Sequence, residues 1–337
     1  MKVAFLTYQY PPKSFWGGSF YAFRLTHALE DLGVDLLRIG PSHMRDDGVK
    51  LAATNFLHFA WRARKYTGNA DLVHGNILAD VFVTRKPCIT TMHHPQKYDY
   101  QNNSLRKKVY ENLEKRCFRK ARKVITDSSI SLKEFREIYG DGKIHSVPLG
   151  VDQVKKTEFG DPRKVLCATG LSARKGVEFV LHAAKELGDA EFYITGNGRE
   201  KRRLESLAAA MRLRNIHLLG IVKQEKLELL YSECGVCIIP SIYEGFGLPI
   251  LEGMAHKKVV IATSTGIAPE VIENGSNGFI IEDRNPRLVS SLILKLIDDE
   301  KLFRRIAQRA LSTSKKFSWK KTARETIRIY KTVLEHE

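Results

Sequence analysis

The chain has 337 residues, 43% hydrophobic and 28% charged, the balance of an ordinary soluble globular protein with room for two domains. No apolar run approaches the roughly 20 residues of a membrane span, and residues 1–7 read as a strand instead of a cleavable leader, so a cytoplasmic location is expected. The formal charge of +17 is spread over both halves. No finger, aromatic-studded RNA motif or basic zipper accompanies it, which excludes nucleic acid from the expected partners.

In chain order, strand-like runs at 3–7, 34–39, 72–74, 88–91, 124–126 and 144–147 alternate with helical patterns at 20–32, 55–66, 105–120 and 132–138. Such alternation indicates parallel strands covered by helices. The stretch 105–123 is strongly basic: nine Lys and Arg face only Glu111 and Glu114. Leu105, Val109, Leu113, Cys117 and Ala121 recur at helical spacing as its expected buried stripe. Such a helix is either a solvated outer face or a contact for an anionic membrane surface. Residues 153–161 are polar and aperiodic and read as a linker. The strand pattern then restarts at 165–169, 192–195, 217–219, 236–239, 259–262 and 279–281, and helical patterns at 285–298, 301–315 and 319–336 close the chain.

Two doubly wound domains in series would face a cleft, with ligands beyond the carboxyl ends of the strands. The expected division is 1–152 and 153–318. The loops after the strands are therefore the candidate site. Gly17 and Gly18 follow the first strand and open a helix, as a turn or as an anion or sugar contact. His93 and His94 end another strand without further metal ligands nearby in sequence, so hydrogen bonding is the better reading. The run Thr169 to Gly176 carries Arg174 and Lys175 ahead of a helix, where cations sit poorly unless an anion is present; a leaving diphosphate would supply one. Gly196-Asn197-Gly198 is a further tight turn. No D-x-D pair offers a divalent metal bridging phosphates, so no metal site is expected. Five scattered cysteines suggest no disulfide framework, and Cys234-x-x-Cys237 lacks the second pair of a zinc site.

The most informative stretch runs from Glu244 to Glu252 as Glu-Gly-Phe-Gly-Leu-Pro-Ile-Leu-Glu, after an apolar strand ending in Pro240-Ser241. Gly245 and Gly247 permit close backbone approach, and the start of the following helix favours an anion. Glu252 falls one to two turns into that helix, placed to accept hydrogen bonds from a polyol such as ribose.

These pieces, with Tyr10-Pro11-Pro12, Thr91-Met92-His93, the run Val147 to Asp152, Gly266 to Glu270 and Phe317-Ser318-Trp319, resemble over nearly the full length the retaining glycosyltransferases of the GT-B fold, family 4 type. The resemblance implies an α/β architecture of two Rossmann-like domains, the first joined by the final helix 319–337, and transfer of a sugar from a UDP- or GDP-linked donor to a glycan, lipid-linked or small-molecule acceptor. Configuration would be retained, with no cofactor or obligatory metal, in the cytoplasm or peripherally on the inner face of a membrane. By the same resemblance Glu252 would hold the ribose and Glu244 the donor sugar. Lys175, with Arg174, would meet the diphosphate, and the backbone of Gly245, Phe246, Gly247 and Leu248 would face sugar and phosphates. Gly17 and Gly18 would border donor and acceptor, His93 would lie near the reacting carbon, and residues 97–104 would belong to the acceptor loops. The pattern departs at Gly170, where the family commonly has an arginine five positions before the lysine; Arg174 is the candidate substitute. The alternative class is a non-catalytic protein of the same shape that binds nucleotide or an anionic membrane.

Overall fold

The computed structural model describes residues 1–10, 17–42, 44, 46–52, 56–76, 84–95, 105–282 and 284–335. Pro11, Pro12 and the 97–104 stretch lie outside them. By contacts the chain divides into two compact units, Met1–Gly150 with Ser318–Glu337, and Val151–Phe317.

The first unit is built on β1 (Lys2–Leu6), β2 (Asp35–Pro41), β3 (Val49–Leu51), β4 (Leu72–Gly75), β5 (Cys88–Thr91), β6 (Lys123–Thr126) and β7 (Ile144–Ser146), a parallel sheet in the order β3-β2-β1-β4-β5-β6-β7. The short strand β3 has too few residues to show a period in sequence; it adds to the edge through Ile39 paired with Val49. Its helices are α1 (Gly17–Glu30), α2 (Phe56–Ala63), α3 (Leu105–Lys120) and α4 (Ser129–Tyr139). Residue 128 explains where α4 begins: the Ser128 side chain accepts from the Ser131 N–H, satisfying one of the donors left open at a helix start.

In the second unit, β8 (Asp161–Ala168), β9 (Glu191–Thr195), β10 (Ile216–Gly220), β11 (Cys234–Ile239), β12 (Val259–Thr263) and β13 (Phe279–Ile281) form a parallel sheet in the order β10-β9-β8-β11-β12-β13. Every residue of β11 and β12 is buried, the consequence of helices on both faces of a parallel sheet, and each Val or Ile so placed contributes about 1.5–3 kcal/mol. The covering helices are α5 (Val177–Lys185), α6 (Lys201–Ala210), α7 (Gln224–Glu233), α8 (Leu248–Ala255), α9 (Ala268–Val271), α10 (Pro286–Asp298) and α11 (Glu300–Ser314). β8 starts four residues before the apolar run at 165, because its polar first half still pairs, Asp161 with Cys234 and Lys164 with Glu191. The polar stretch before it is tied down by Lys258, a fully buried lysine whose Nζ donates to the Glu158 carbonyl at 2.7 Å; burial lowers its pKa to about 8. All five cysteines are buried and none is in a disulfide, and burial pushes the Cys234 thiol up to about 12.

The last helix, α12 (Trp319–Leu334), belongs by contacts to the first unit. Ser318 caps it through the Lys321 N–H, and its apolar stripe, including Trp319, Ala323, Ile329 and Tyr330, is buried. Thr322 donates to the Pro148 carbonyl at 2.8 Å, and the Tyr330 hydroxyl meets His74 Nδ1 at 2.6 Å.

The expected stripe of α3 needs correction. Cys117 and Ala121 are buried, but Leu105 and Val109 are exposed, at 79% and 48%. The inward positions are taken instead by Phe118 and by Glu114, whose carboxylate accepts the Tyr139 hydroxyl. Among the described residues no helix is long and apolar enough to cross a membrane.

Candidate active site

Strand order reverses between β8 and β11 in the second unit, and in such sheets ligands bind beyond the carboxyl ends of the strands at this reversal. The loops leaving both strands meet there. The Ile242 N–H donates to the Arg174 carbonyl at 2.7 Å and locks one loop to the other. Gly176, with φ +64°, ends the first loop where a Cβ would stand 2.2 Å from the Pro240 carbonyl oxygen, so only glycine fits.

Across this junction Lys175 Nζ donates to both oxygens of Glu244, at 2.6 and 2.7 Å, and the Ser241 hydroxyl donates to Oε1 at 2.6 Å. Burial alone would raise the Glu244 pKa. The Lys175 charge and hydrogen bonds, the Ser241 bond and the Arg174 charge outweigh it and hold the carboxyl below its ordinary value. The anion that Lys175 meets in this state is therefore an internal carboxylate, a partner that the sequence argument for an external diphosphate did not consider.

Eight residues on, Glu252 lies in α8, half-buried. Its pKa is raised to about 7, first by burial and then by the charges of Asp152 and Glu228, against a lowering hydrogen bond from Tyr231 at 3.3 Å. Tyr231 stacks on His256, with ring centroids 4.1 Å apart, and His256 in turn meets Glu228 at 2.8 Å. Glu252 thus combines a carboxyl that makes one long bond with fixed surroundings, the properties of an acceptor with capacity to spare.

Gly247 caps the start of α8 at φ +86°, a left-handed conformation that costs glycine little, and no side chain caps the helix. The side chains of Phe246 and Leu248 are buried, so only their backbones are available to a ligand, and the Phe246 carbonyl already accepts the Ile267 N–H.

In the first unit the order reverses between β1 and β4, and the polar groups again collect at the strand ends. His93 Nδ1 lies 2.6 Å from Asp127 Oδ2, and Nε2 lies 3.0 Å from Asn76 Oδ1. The orientation of the Asn76 amide is set by its other end, which donates to the Gly18 carbonyl at 2.8 Å and to Thr7 Oγ1 at 3.4 Å. Both ring nitrogens therefore face acceptor oxygens. Asp127 is buried, and its Oδ1 has no hydrogen-bond partner. Tyr21 packs edge-on to His93 at 5.0 Å, and its hydroxyl bonds Thr91. Gly18 sits against the ring, where a Cβ would come within 3.2 Å of Nε2, whereas Gly17 is exposed with open space around it.

Of the expected residues, the structure joins Lys175, Arg174 and Glu244 in one cluster, with Glu252 further along α8, and joins His93 with Gly18 in another. The sequence reading missed Asn76, Asp127 and Tyr231, and left Ser241 without a role. The first two carried a signal: each is the polar residue immediately after a buried strand, the same criterion that singled out His93. Among the described residues no group of three or more His, Cys, Asp or Glu that could hold a metal ion occurs.

The family described as Glycosyl transferases group 1 matches residues 151–313, and Glycosyltransferase Family 4 matches residues 16–155. Together these matches run through both clusters. The chain belongs to the GT-B glycosyltransferases of the family 4 type. An uncharacterized glycosyltransferase of Methanocaldococcus jannaschii is 25% identical over 99% of each chain. A second from that organism is 34% identical, over 54% of this chain and 51% of its own length. Among solved structures, sucrose-phosphate synthase from Thermosynechococcus elongatus superposes with TM-score 0.85 at 19% identity over 100% of each chain. Anabaena HepE in complex with UDP-glucose gives 0.80 at 20% identity over 99% of each. At such identities these two likenesses concern the GT-B fold.

Proposed function

We propose that this glycosyltransferase moves a sugar from a nucleoside-diphosphate donor to a glycan or lipid-linked acceptor with retention of configuration and without an obligatory metal. The observation that carries the reading is the cluster beyond β8 and β11, where Lys175, Glu244 and Glu252 follow one another at a crevice suited to a nucleotide. A solved GT-B structure, HepE, is a complex with UDP-glucose, which favours a donor of that class.

In this reading the Glu252 carboxylate accepts the ribose hydroxyls, and the uncapped start of α8 faces the phosphates. Lys175 transfers its donation from Glu244 to the diphosphate, where negative charge grows as the sugar–phosphate bond breaks, and Glu244 is released to the hydroxyls of the sugar. The acceptor oxygen forms the new bond to the anomeric carbon, and its proton passes to the leaving phosphate. His93, anchored by Asp127 at Nδ1, turns Nε2 from the Asn76 oxygen to a hydroxyl of the sugar when the donor is bound. The exposed Leu105 and Val109 beside Lys108, Lys115 and Arg116 further support a peripheral contact of α3 with an anionic membrane, consistent with a lipid-linked acceptor.

Release of UDP or GDP from a panel of nucleotide sugars, with glycan and lipid acceptors, tests the reaction. Turnover with one donor is expected, and no release with any donor and acceptor would overturn it. Anionic vesicles should sediment the protein better than neutral ones at low salt; equal sedimentation removes the membrane contact.

A further inference from the structure

A second concentration of charge lies in the first unit, away from the strand ends just described. A hollow of about 630 Å³ opens at the opposite edge of the sheet, where β5, β6 and β7 begin. Arg85, Lys86, Arg119, Lys120, Arg122 and Lys143 line it, and among the described residues no carboxylate lines it.

Two of these cations have structural duties. Lys120 Nζ donates to the Thr84 carbonyl at 2.8 Å, and Lys143 Nζ donates to the carbonyls of Ala121 at 2.9 Å and Arg119 at 3.2 Å, over the ring of Phe118. They serve the C-terminal end of α3, whose macrodipole amounts to about half a negative charge. That end offsets only a fraction of six positive charges. Burial lowers the Lys143 pKa, and no carboxylate counteracts it. Arg85, Lys86, Arg119 and Arg122 are exposed. Solubility alone would be served by spacing such charges apart, because cations gathered around one concavity repel one another.

An anion removes that repulsion. Guanidinium groups match the oxygens of a phosphate by paired, charge-assisted hydrogen bonds, and ammonium groups supply point charges beside them. The concavity has room for a phosphate together with its hydration or the group that carries it. We propose that this hollow is a binding site for a phosphate group, either a free phosphate anion or the headgroup of a phospholipid. It is separate from the strand-end clusters and does not depend on the transferase reading.

The test compares three proteins: native, Arg119→Gln/Arg122→Gln, and Arg287→Gln/Arg305→Gln as an equal loss of charge on exposed helix faces of the second unit. Inorganic phosphate is titrated by calorimetry. Binding is also measured to vesicles carrying phosphatidic acid, a terminal phosphate monoester, and to vesicles of matched charge carrying phosphatidylserine. The first double variant should bind free phosphate, or phosphatidic acid in preference to phosphatidylserine, roughly tenfold more weakly than native protein, with less than a twofold change in the second. Loss with inorganic phosphate assigns the free anion, and loss confined to phosphatidic acid vesicles assigns the lipid headgroup. Circular dichroism verifies the fold, and Arg85→Gln/Lys86→Gln replaces the first variant should that one unfold. Failure of the native protein to bind any phosphate probe, or equal weakening in both variants, overturns the proposal.

Discussion

His93 in the first unit and Lys175 in the second each reach a carboxylate at 2.6 Å, yet the two pairs stand in different balance. Asp127 gives one oxygen to His93 and has no partner for the other, while the far side of the ring is held by Asn76. Glu244 has both oxygens engaged by Lys175 and one also by Ser241. The first arrangement fixes a ring between a buried carboxylate and an amide that is itself held by Gly18 and Thr7, so its geometry exists before any ligand arrives. The second neutralises two charges against each other, so a bound anion has to re-partner them. Both pairs lie beyond the carboxyl ends of parallel strands, and the chemistry differs because of the side chains each loop supplies.

Breaking the charged pair should give the largest effect. Lys175→Met strands a nearly buried carboxylate and should lower stability by about 3 kcal/mol in urea unfolding. It should also reduce turnover roughly 10²- to 10³-fold. Adding Glu244→Gln should restore most of the stability and none of the turnover; a double variant no more stable than the single would show that the pair is not what holds the loop. Because the Glu244 pKa is depressed in the fold, the stability it contributes is present above the unfolded carboxyl value and is lost as pH falls through the folded one. That acid-side loss should be absent from the double variant.

The network around His93 should respond differently. Asn76→Ala removes the amide between His93, Gly18 and Thr7 and should slow turnover on the order of a hundredfold through a misplaced ring. Stability should fall by about 1–3 kcal/mol, and nucleotide affinity should hold within twofold. A parallel loss of nucleotide affinity in calorimetry would erase the distinction between the two clusters.

A smaller effect concerns Glu252, whose folded pKa of about 7 lies above the unfolded value. The sign is opposite to that of Glu244: stability is lost as pH rises from the unfolded carboxyl value through 7, where the buried group must ionise. Glu252→Gln should therefore flatten the stability profile between pH 5 and about 8, and a profile identical to native would contradict the burial argument. The smallest effect is expected from Arg203→Ala. It removes exposed bonds to Glu178 and Glu200 and should change stability by under about 1 kcal/mol.

The alternation of apolar runs made both sheets legible, because parallel strands buried on two faces leave continuous Val, Ile and Leu. Strand β3 was not legible, since three residues carry no period. The stripe of α3 failed for a related reason. Leu105 and Val109 keep helical spacing with Cys117, but spacing does not say where the neighbouring layer stops, and Glu114 is buried through its bond to Tyr139. In the candidate site, glycines and charges after strands were readable because backbone geometry demands them. The Lys175–Glu244 pair was not, as it joins loops 69 residues apart through a packing that no local pattern encodes.

Calorimetric titration of UDP and GDP into the native protein and Glu252→Ala tests the assignment of the nucleotide to the second unit most directly. One nucleotide should bind the native protein, more weakly as pH falls below about 7. Glu252→Ala should lower that affinity roughly 10- to 100-fold, the loss of charge-assisted bonds to ribose. Unchanged affinity in the variant, at every pH, would contradict it.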